Sequence, residues 1–174
     1  MCVFEASNYS AIEATRDGRE IEIRALKPED QAGLIAAVRR SSDQSLYRRF
    51  FGFKRHFSDQ EIAYFLNVDF VNHVALVAVI GAADKPVIAG GGRYVVHEPR
   101  KAEIAFVVVD EYQGQGICRV LMRHLTGIAR EAGLREFTAE VLRDNISMLK
   151  VFEESGLHLH IQREAQVLHV ALQL

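Results

Sequence analysis

With 174 residues, the chain has the size of one domain of the usual ~100 to 200 residues, long enough to bury about 70% of the extended chain's surface without disulfide or metal staples. Its composition, 49% hydrophobic and 25% charged, excludes a disordered, collagenous or membrane-dominated chain. Twenty-one basic against twenty-three acidic residues leave a net charge of −2, which supplies no field for gathering nucleic acid or anionic lipid.

Residues 1–18 show no period and read as a loosely held N-terminal extension, so the domain is expected over 19–174. Glu5 and Glu13 stand where a signal peptide would carry its basic and apolar blocks. Glu20 to Ala25 alternates charged and apolar residues, with Ile21 and Ile23 on one side, which is the period of a half-buried strand. Pro28 followed by Glu29 and Asp30 starts a helix, because proline fits a first turn and carboxylates suit its positive end. Leu34, Ile35 and Val38 share that helix's inner face.

The segment from Leu46 to Gly52 mixes aromatic and basic residues. Ser58 and Glu61 have capping-box spacing ahead of Ile62, Phe65 and Leu66, which predicts a second helix from about residue 59. Val74 to Ile80, a turn around Ala83 to Pro86, and Val87 to His97 form a hairpin. The longest apolar stretch, around Val71 to Ala83, is too short to span a bilayer. Gly90, Gly91 and Gly92 inside the second strand weaken it unless something must approach its backbone closely. Ala102 to Val109 is apolar on both faces and so predicts cover on both sides.

Gly114 to Ala132 has helical period through Ile117, Leu121, Leu125 and Ile128, with Gly133 after its C-cap. Glu136 to Leu142 is a strand, Asp144 or Asn145 caps a shorter helix that ends at Gly156, and Leu157 to Ile161 and Val167 to Leu172 alternate as strands. The order predicts a single α/β domain with a mixed central sheet of about seven strands flanked by about four helices. Cys2 and Cys118 fit no metal or redox spacing. With no targeting or membrane segment in view, a cytoplasmic protein is expected, without a nucleic-acid or membrane partner.

Chemistry concentrates between Glu103 and Gly116. A strand runs into Asp110-Glu111-Tyr112 and then into Gln113-Gly114-Gln115-Gly116-Ile117-Cys118 at the head of the long helix. Free N–H groups at a helix start, its dipole and glycine's lack of a side chain together suit a phosphate. A dinucleotide fingerprint from Gly114 needs a third glycine where Arg119 stands, and a Walker loop needs a Gly-Lys-Ser/Thr that is absent.

What remains resembles the acyl-CoA pyrophosphate loop of the GNAT superfamily of N-acetyltransferases. Gln113 and Gly116 match its pattern, and Cys118 departs from it. The preceding strand ends Phe106-Val107-Val108-Val109, and Asn145-Ile146-Ser147-Met148 leads to Phe152 and Gly156 as in the superfamily's asparagine-headed helix. The resemblance covers roughly residues 20–172. Ser45 to Phe51, Gly90 to Tyr94 and Ala102 to Phe106 are most similar to the acetyltransferase domain of bacterial protein-lysine acetyltransferases.

The resemblance implies a single-domain GNAT fold, acetyl-CoA as cosubstrate with no metal, and transfer of an acetyl group to an amine. The implied acceptor is a protein lysine, such as one on an acyl-CoA synthetase. A small-molecule amine, polyamine or amino acid is the alternative acceptor, and a non-catalytic CoA-binding module the alternative class; a monomer or a homodimer is expected. Cofactor contacts fall to Phe106, Val107 and Val108 on the strand, to Gln113, Gly114, Gln115, Gly116, Ile117, Cys118 and Arg119 around the loop, and to Asn145.

Glu103 is implied as general base. Read from the residues alone, it is either a partly buried carboxylate with a raised pKa or a solvated strand-end group. Asn145 is either a cap alone or also a contact. Arg119, Arg123 and Lys150 reach cofactor phosphates or stand in solvent, and Tyr47 to Phe51 rim the acceptor channel or simply pack. Phe152 stands where relatives place a tyrosine that protonates the leaving thiolate. Cys118 is either an acyl carrier or a replacement for a small residue. His158 and His160 share a strand face, but no acidic or cysteine partner lies at a ligand spacing.

Overall fold

The computed structural model describes residues 5–81 and 84–174; Cys2 and the start of the turn expected around Ala83 lie outside them. Eight strands form one sheet. They are β1 (Ser10–Ala14), β2 (Glu20–Ala25), β3 (His73–Ile80), β4 (Val87–Glu98), β5 (Lys101–Val108), β6 (Glu136–Leu142), β7 (His158–Glu164) and β8 (Val167–Gln173), in the order β1-β2-β3-β4-β5-β6-β8-β7. Neighbours are antiparallel except β5 and β6, which run parallel. Five helices cover it: α1 (Gln31–Arg40), α2 (Asp43–Phe50), α3 (Asp59–Leu66), α4 (Ile117–Glu131) and α5 (Ile146–Glu153).

The two faces divide by residue parity, as the pleat requires. On one face α4 buries Leu121, Leu125, Ile128 and Ala129 against Leu76, Ile104 and Phe106, and Phe152 of α5 joins them. On the other face Leu34 and Ala37 of α1 and Leu66 of α3 close over Ala75, Val77, Val79 and Ile88. β3 is buried at all eight positions because it has helices on both sides. Gly92 faces α4, where an added Cβ would stand 2.6 Å from the Phe106 ring. This close approach accounts for one glycine of the Gly90 to Gly92 run.

Two elements exceed the expected seven strands and four helices. Residues 10–14, expected to be loosely held, form the sheet's first strand, paired with β2 from Ser10↔Arg24 to Ala14↔Glu20. As an edge strand β1 has no buried residue, and Ile12 is 62% exposed, so its pattern carries no core signal. The aromatic and basic segment is helix α2, capped by Ser42, whose Oγ accepts the Ser45 N–H at 3.2 Å. It buries only Leu46, too little for a readable period. The long helix starts at Ile117 rather than Gly114, because Gly114 and Gly116 hold φ of +75° and +87°, a left-handed conformation outside any right-handed helix.

The corner where α3 meets β3 and β4 holds a polar cluster around the buried His73. Arg93 donates to His73 Nε2 at 3.0 Å and to the Phe65 carbonyl at 3.3 Å. Asp69 Oδ1 accepts the N–H groups of Val71, Asn72 and His73. Burial, and next the Arg93 charge, lower the His73 pKa from 6.5 to about 4, against the opposing pull of Asp69.

Between those two pH values the unfolded chain binds the proton and the folded chain does not. The folded state therefore has His73's full contribution above pH ~6.5 and loses it as pH falls, by up to ~3 kcal/mol at ~1.4 kcal/mol per pKa unit. Denaturant unfolding at several pH values from 7 down to 4 is expected to show a stability loss that is clearly shallower in His73→Gln. Parallel pH dependence in the two proteins would refute this account.

Candidate active site

β5 and β6 pair only at Lys101↔Glu136, Ala102↔Phe137 and Glu103↔Thr138. Beyond Glu103, β6 continues beside β8 as far as Leu142, while β5 continues beside β4 as far as Val108. The two strands splay and open a cleft of about 540 Å³. The Val109 N–H bonds the Ala89 carbonyl at 2.9 Å. Strand alternation then turns the backbone groups of Ile104, Phe106 and Val108 toward the cleft. Such an edge requires a partner, because buried backbone polar groups are almost always paired. Gln113 Nε2 supplies one bond, to the Val108 carbonyl at 3.0 Å, and also reaches Ser45 Oγ at 3.0 Å.

At the far end of β5 a short 3-10 turn, Asp110–Tyr112, leads into the glycine loop. The first helical bond of α4 runs from the Val120 N–H to the Gly116 carbonyl at 3.1 Å. Among the described residues, the N–H groups of Gly114, Gln115, Gly116, Ile117, Cys118 and Arg119 have no protein acceptor. These six amides, gathered by two left-handed glycines at a helix start, make a concave donor site for an anion.

Arg16, in the hairpin between β1 and β2, adds a cation to this site. Its N–H bonds the Gln115 carbonyl at 3.0 Å, its Nη1 lies 3.5 Å from the Gly114 carbonyl, and its side chain passes Gly116. Nothing in the sequence singles out Arg16, which stands alone in a segment without period.

The cleft's other wall comes from α2. Asp110 accepts the Ser42 N–H at 2.9 Å and ties the start of α2 to the end of β5. Burial works against the Asp110 charge, yet the hydrogen bonds from Ser42 and Ser45 keep its pKa below the ordinary value. Arg48 crosses to the loop before α5 and donates to the Asp144 carbonyl at 3.3 Å. Arg49, next along α2, stacks on the Phe50 ring at 4.8 Å. It borders the cleft beside Ala105 and Val107, and the Glu103 charge acts on it.

Glu103 stands at the mouth of the splay, paired across to Val95 and Thr138. Of the two readings open in sequence it takes the exposed one, because the strands part immediately beyond it and leave its side chain open to water. The structure brings Phe106, Val107, Val108, Gln113, Gly114, Gly116, Ile117, Cys118, Arg119 and Asn145 to the same cleft. Gln115 is not among them: its side chain turns back to the Glu111 carbonyl at 3.2 Å.

Asn145 caps α5 by accepting the Met148 N–H at 3.3 Å, and it borders the cleft as well. Arg119 pairs with Glu154, and Lys150 lies 3.9 Å from the same carboxylate. Arg123 points away to Glu13 at 2.5 Å, and His124 bonds the same carboxylate at 2.7 Å. Phe152 is buried against Phe106 with ring centroids 6.5 Å apart, so it brings no phenol to the cleft. Burial pushes the Cys118 thiol up to about 12, which removes the thiolate that an acyl carrier needs at neutral pH. His158 and His160 lie on β7, and among the described residues no cluster of three or more His, Cys, Asp or Glu side chains is placed to hold a metal ion. No described helix is long and apolar enough to cross a membrane.

A model of the acetyltransferase (GNAT) family matches residues 40–157. Acetyltransferase Pat of Mycolicibacterium smegmatis is 35% identical over 143 residues, which is 81% of this chain and 42% of that protein. The chain thus spans less than half the length of that relative. Acetyltransferase PA5475 of Pseudomonas aeruginosa is 32% identical over 126 residues, 72% of this chain and 68% of the relative. The crystal structure of the GNAT domain of S. lividans PAT matches with a TM-score of 0.86 at 33% identity, covering 95% of this chain and 97% of that domain.

Proposed function

The chain belongs to the acetyltransferase (GNAT) family, and on that premise we propose that it transfers an acetyl group from acetyl-CoA directly to an amine, with a protein lysine as the acceptor. The observation that carries the reading is the conjunction of six free amides at the head of α4 with the half-paired strand β5 beside them. The amides and Arg16 suit a diphosphate, and the open edge at Ile104 to Val108 suits an extended amide-bearing arm. When bound, acetyl-CoA supplies the activated acyl group as a thioester.

The rest is the work of the chain's own residues. A lysine amine with a pKa near 10.4 is only about 0.04% neutral at pH 7, a deficit of roughly 4.6 kcal/mol, so the site must remove a proton. Glu103 is the carboxylate at the mouth of the splay. Seating an acceptor over it would displace the water that now surrounds it and strengthen its pull on that proton. An open-edge N–H of β5 would donate to the thioester oxygen as charge grows there. The leaving thiol has a pKa close to that of cysteine and can depart as the anion, so the lack of a phenol at Phe152 does not block the reaction.

The lysine reading rests on the resemblance of Ser45 to Phe51, Gly90 to Tyr94 and Ala102 to Phe106 to protein-lysine acetyltransferases. The exposed Glu103 and the buried Phe152 favour a second reading, a domain that binds CoA without turning it over. Labelled acetyl-CoA offered to polyamines, amino acids, peptides and acyl-CoA synthetases separates the two. Saturable transfer to protein lysines is the expected result. Stoichiometric binding of acetyl-CoA with no transfer to any amine would overturn the enzyme reading, and transfer confined to small amines would overturn the lysine assignment.

A further inference from the structure

On the sheet face opposite α4, beneath α1, α2 and α3, lies a second chamber of about 320 Å³. Its walls are apolar, from Leu34 and Val38 under α1 to Phe57 and Phe65 near α3, with Val77 and Val107 as floor. Its polar lining is one-sided. Arg39, Arg49, Arg55, Arg93 and His56 border it, and among the described residues no carboxylate does. Arg55 is paired with Asp43 at 2.7 Å and with the Ser41 carbonyl at 2.8 Å. Arg93 has two neutral partners, His73 and the Phe65 carbonyl.

Arg49 has neither a hydrogen bond nor an ion pair among the described residues; its contact is the Phe50 ring. Arg49 is half-buried and borders both the chamber and the cleft, and burial draws its pKa below the ordinary arginine value. Arg93 adds a second positive charge close by, and its own pKa falls to about 10, through burial first and then through Arg49. Glu103 acts on Arg49 from the cleft side without touching it.

A half-buried cation without a partner is costly, and a second one bordering the same chamber makes it more so. The same low dielectric makes an anion placed between them strongly attracted. We propose that this chamber binds an apolar monocarboxylate, with its carboxylate on Arg49 and Arg93 and its hydrocarbon body running under α1 along Val107, Val77 and Leu34. The volume equals roughly ten waters at ~30 Å³ each, room for an acid of about eight carbons. Arg49, Phe50, Ala105 and Val107 also border the cleft. The acid's head therefore lies one wall away from the acyl end of that site.

Octanoate is the probe, and octanamide is its neutral counterpart of the same shape. Calorimetric titration of the full chain without cofactor is expected to show saturable binding of one octanoate, with octanamide at least ~10-fold weaker, as loss of a charge-assisted bond requires. Arg93→Met is expected to weaken octanoate by a similar factor. It should leave CoA binding unchanged, because Arg93 does not border the cleft.

Equal affinity for acid and amide, or no saturation by octanoate in the low-millimolar range, would overturn the inference even if Arg93→Met fails to fold. CoA titrated in parallel keeps the two proposals apart. Binding of CoA without octanoate refutes the chamber alone, and binding of octanoate without CoA refutes the cleft assignment alone.

Discussion

Gly116→Asp is expected to weaken acetyl-CoA binding by at least ~100-fold, the order of two charge-assisted bonds, while the chain stays folded. Gly116 has a φ of +87°, so any side chain there carries strain, but aspartate tolerates the left-handed region better than most residues. There is room as well. The nearest atom to an added Cβ is Arg16 Cγ at 3.5 Å, ordinary contact, with Arg16 Nε at 3.7 Å. The new carboxylate would therefore take Arg16 for itself and place a negative charge among amides that should face a diphosphate.

The control is Gly116→Ala, which carries the strain without the charge. It should lose far less affinity than the aspartate variant. The checks are calorimetric titration with acetyl-CoA and a thermal melt of each protein. Unchanged affinity in a folded Gly116→Asp chain would mean that the cradle at the head of α4 does not hold the cofactor.

This site was legible in sequence where backbone conformation dictates residue type. Gly114 and Gly116 announce themselves because few other residues adopt positive φ, and the all-apolar run Phe106 to Val109 marks a strand buried on both faces. What stayed hidden depends on the partner of a side chain rather than its type. Arg16 is one arginine in an aperiodic segment until pairing of β1 with β2 carries it to the glycine loop.

Glu103 stayed undecided for a related reason. Its apolar neighbours allow burial and its place at the strand end allows solvent, and the splay that decides between them leaves no trace in local composition. Gln115 lies within the motif but turns back toward Glu111, since one loop cannot aim every side chain at one ligand. The chamber was invisible for a similar reason. Arg49 and Arg93 are 44 residues apart in sequence, and only the packing of α2 on β5, beside β4, brings both to one chamber without a carboxylate among its described lining residues.

Glu103→Gln isolates the proton-transfer step. The amide keeps the shape of the carboxylate and cannot accept the proton, so kcat is expected to fall by ~100- to 10,000-fold near pH 7, the usual worth of a general base. Acetyl-CoA affinity should not change, because Glu103 lies at the mouth of the cleft, away from the amides that face the diphosphate. A pH series supplies the sharper criterion. Below its pKa near 10.4, an acceptor lysine becomes about tenfold more neutral with each pH unit. The variant's rate should therefore climb with pH, while the native enzyme, in which Glu103 takes the proton, should depend on pH less steeply. If kcat were intact in Glu103→Gln, or if both proteins rose with pH in parallel, the proton would have to leave by another route and Glu103 would be only a solvated carboxylate at the end of a strand.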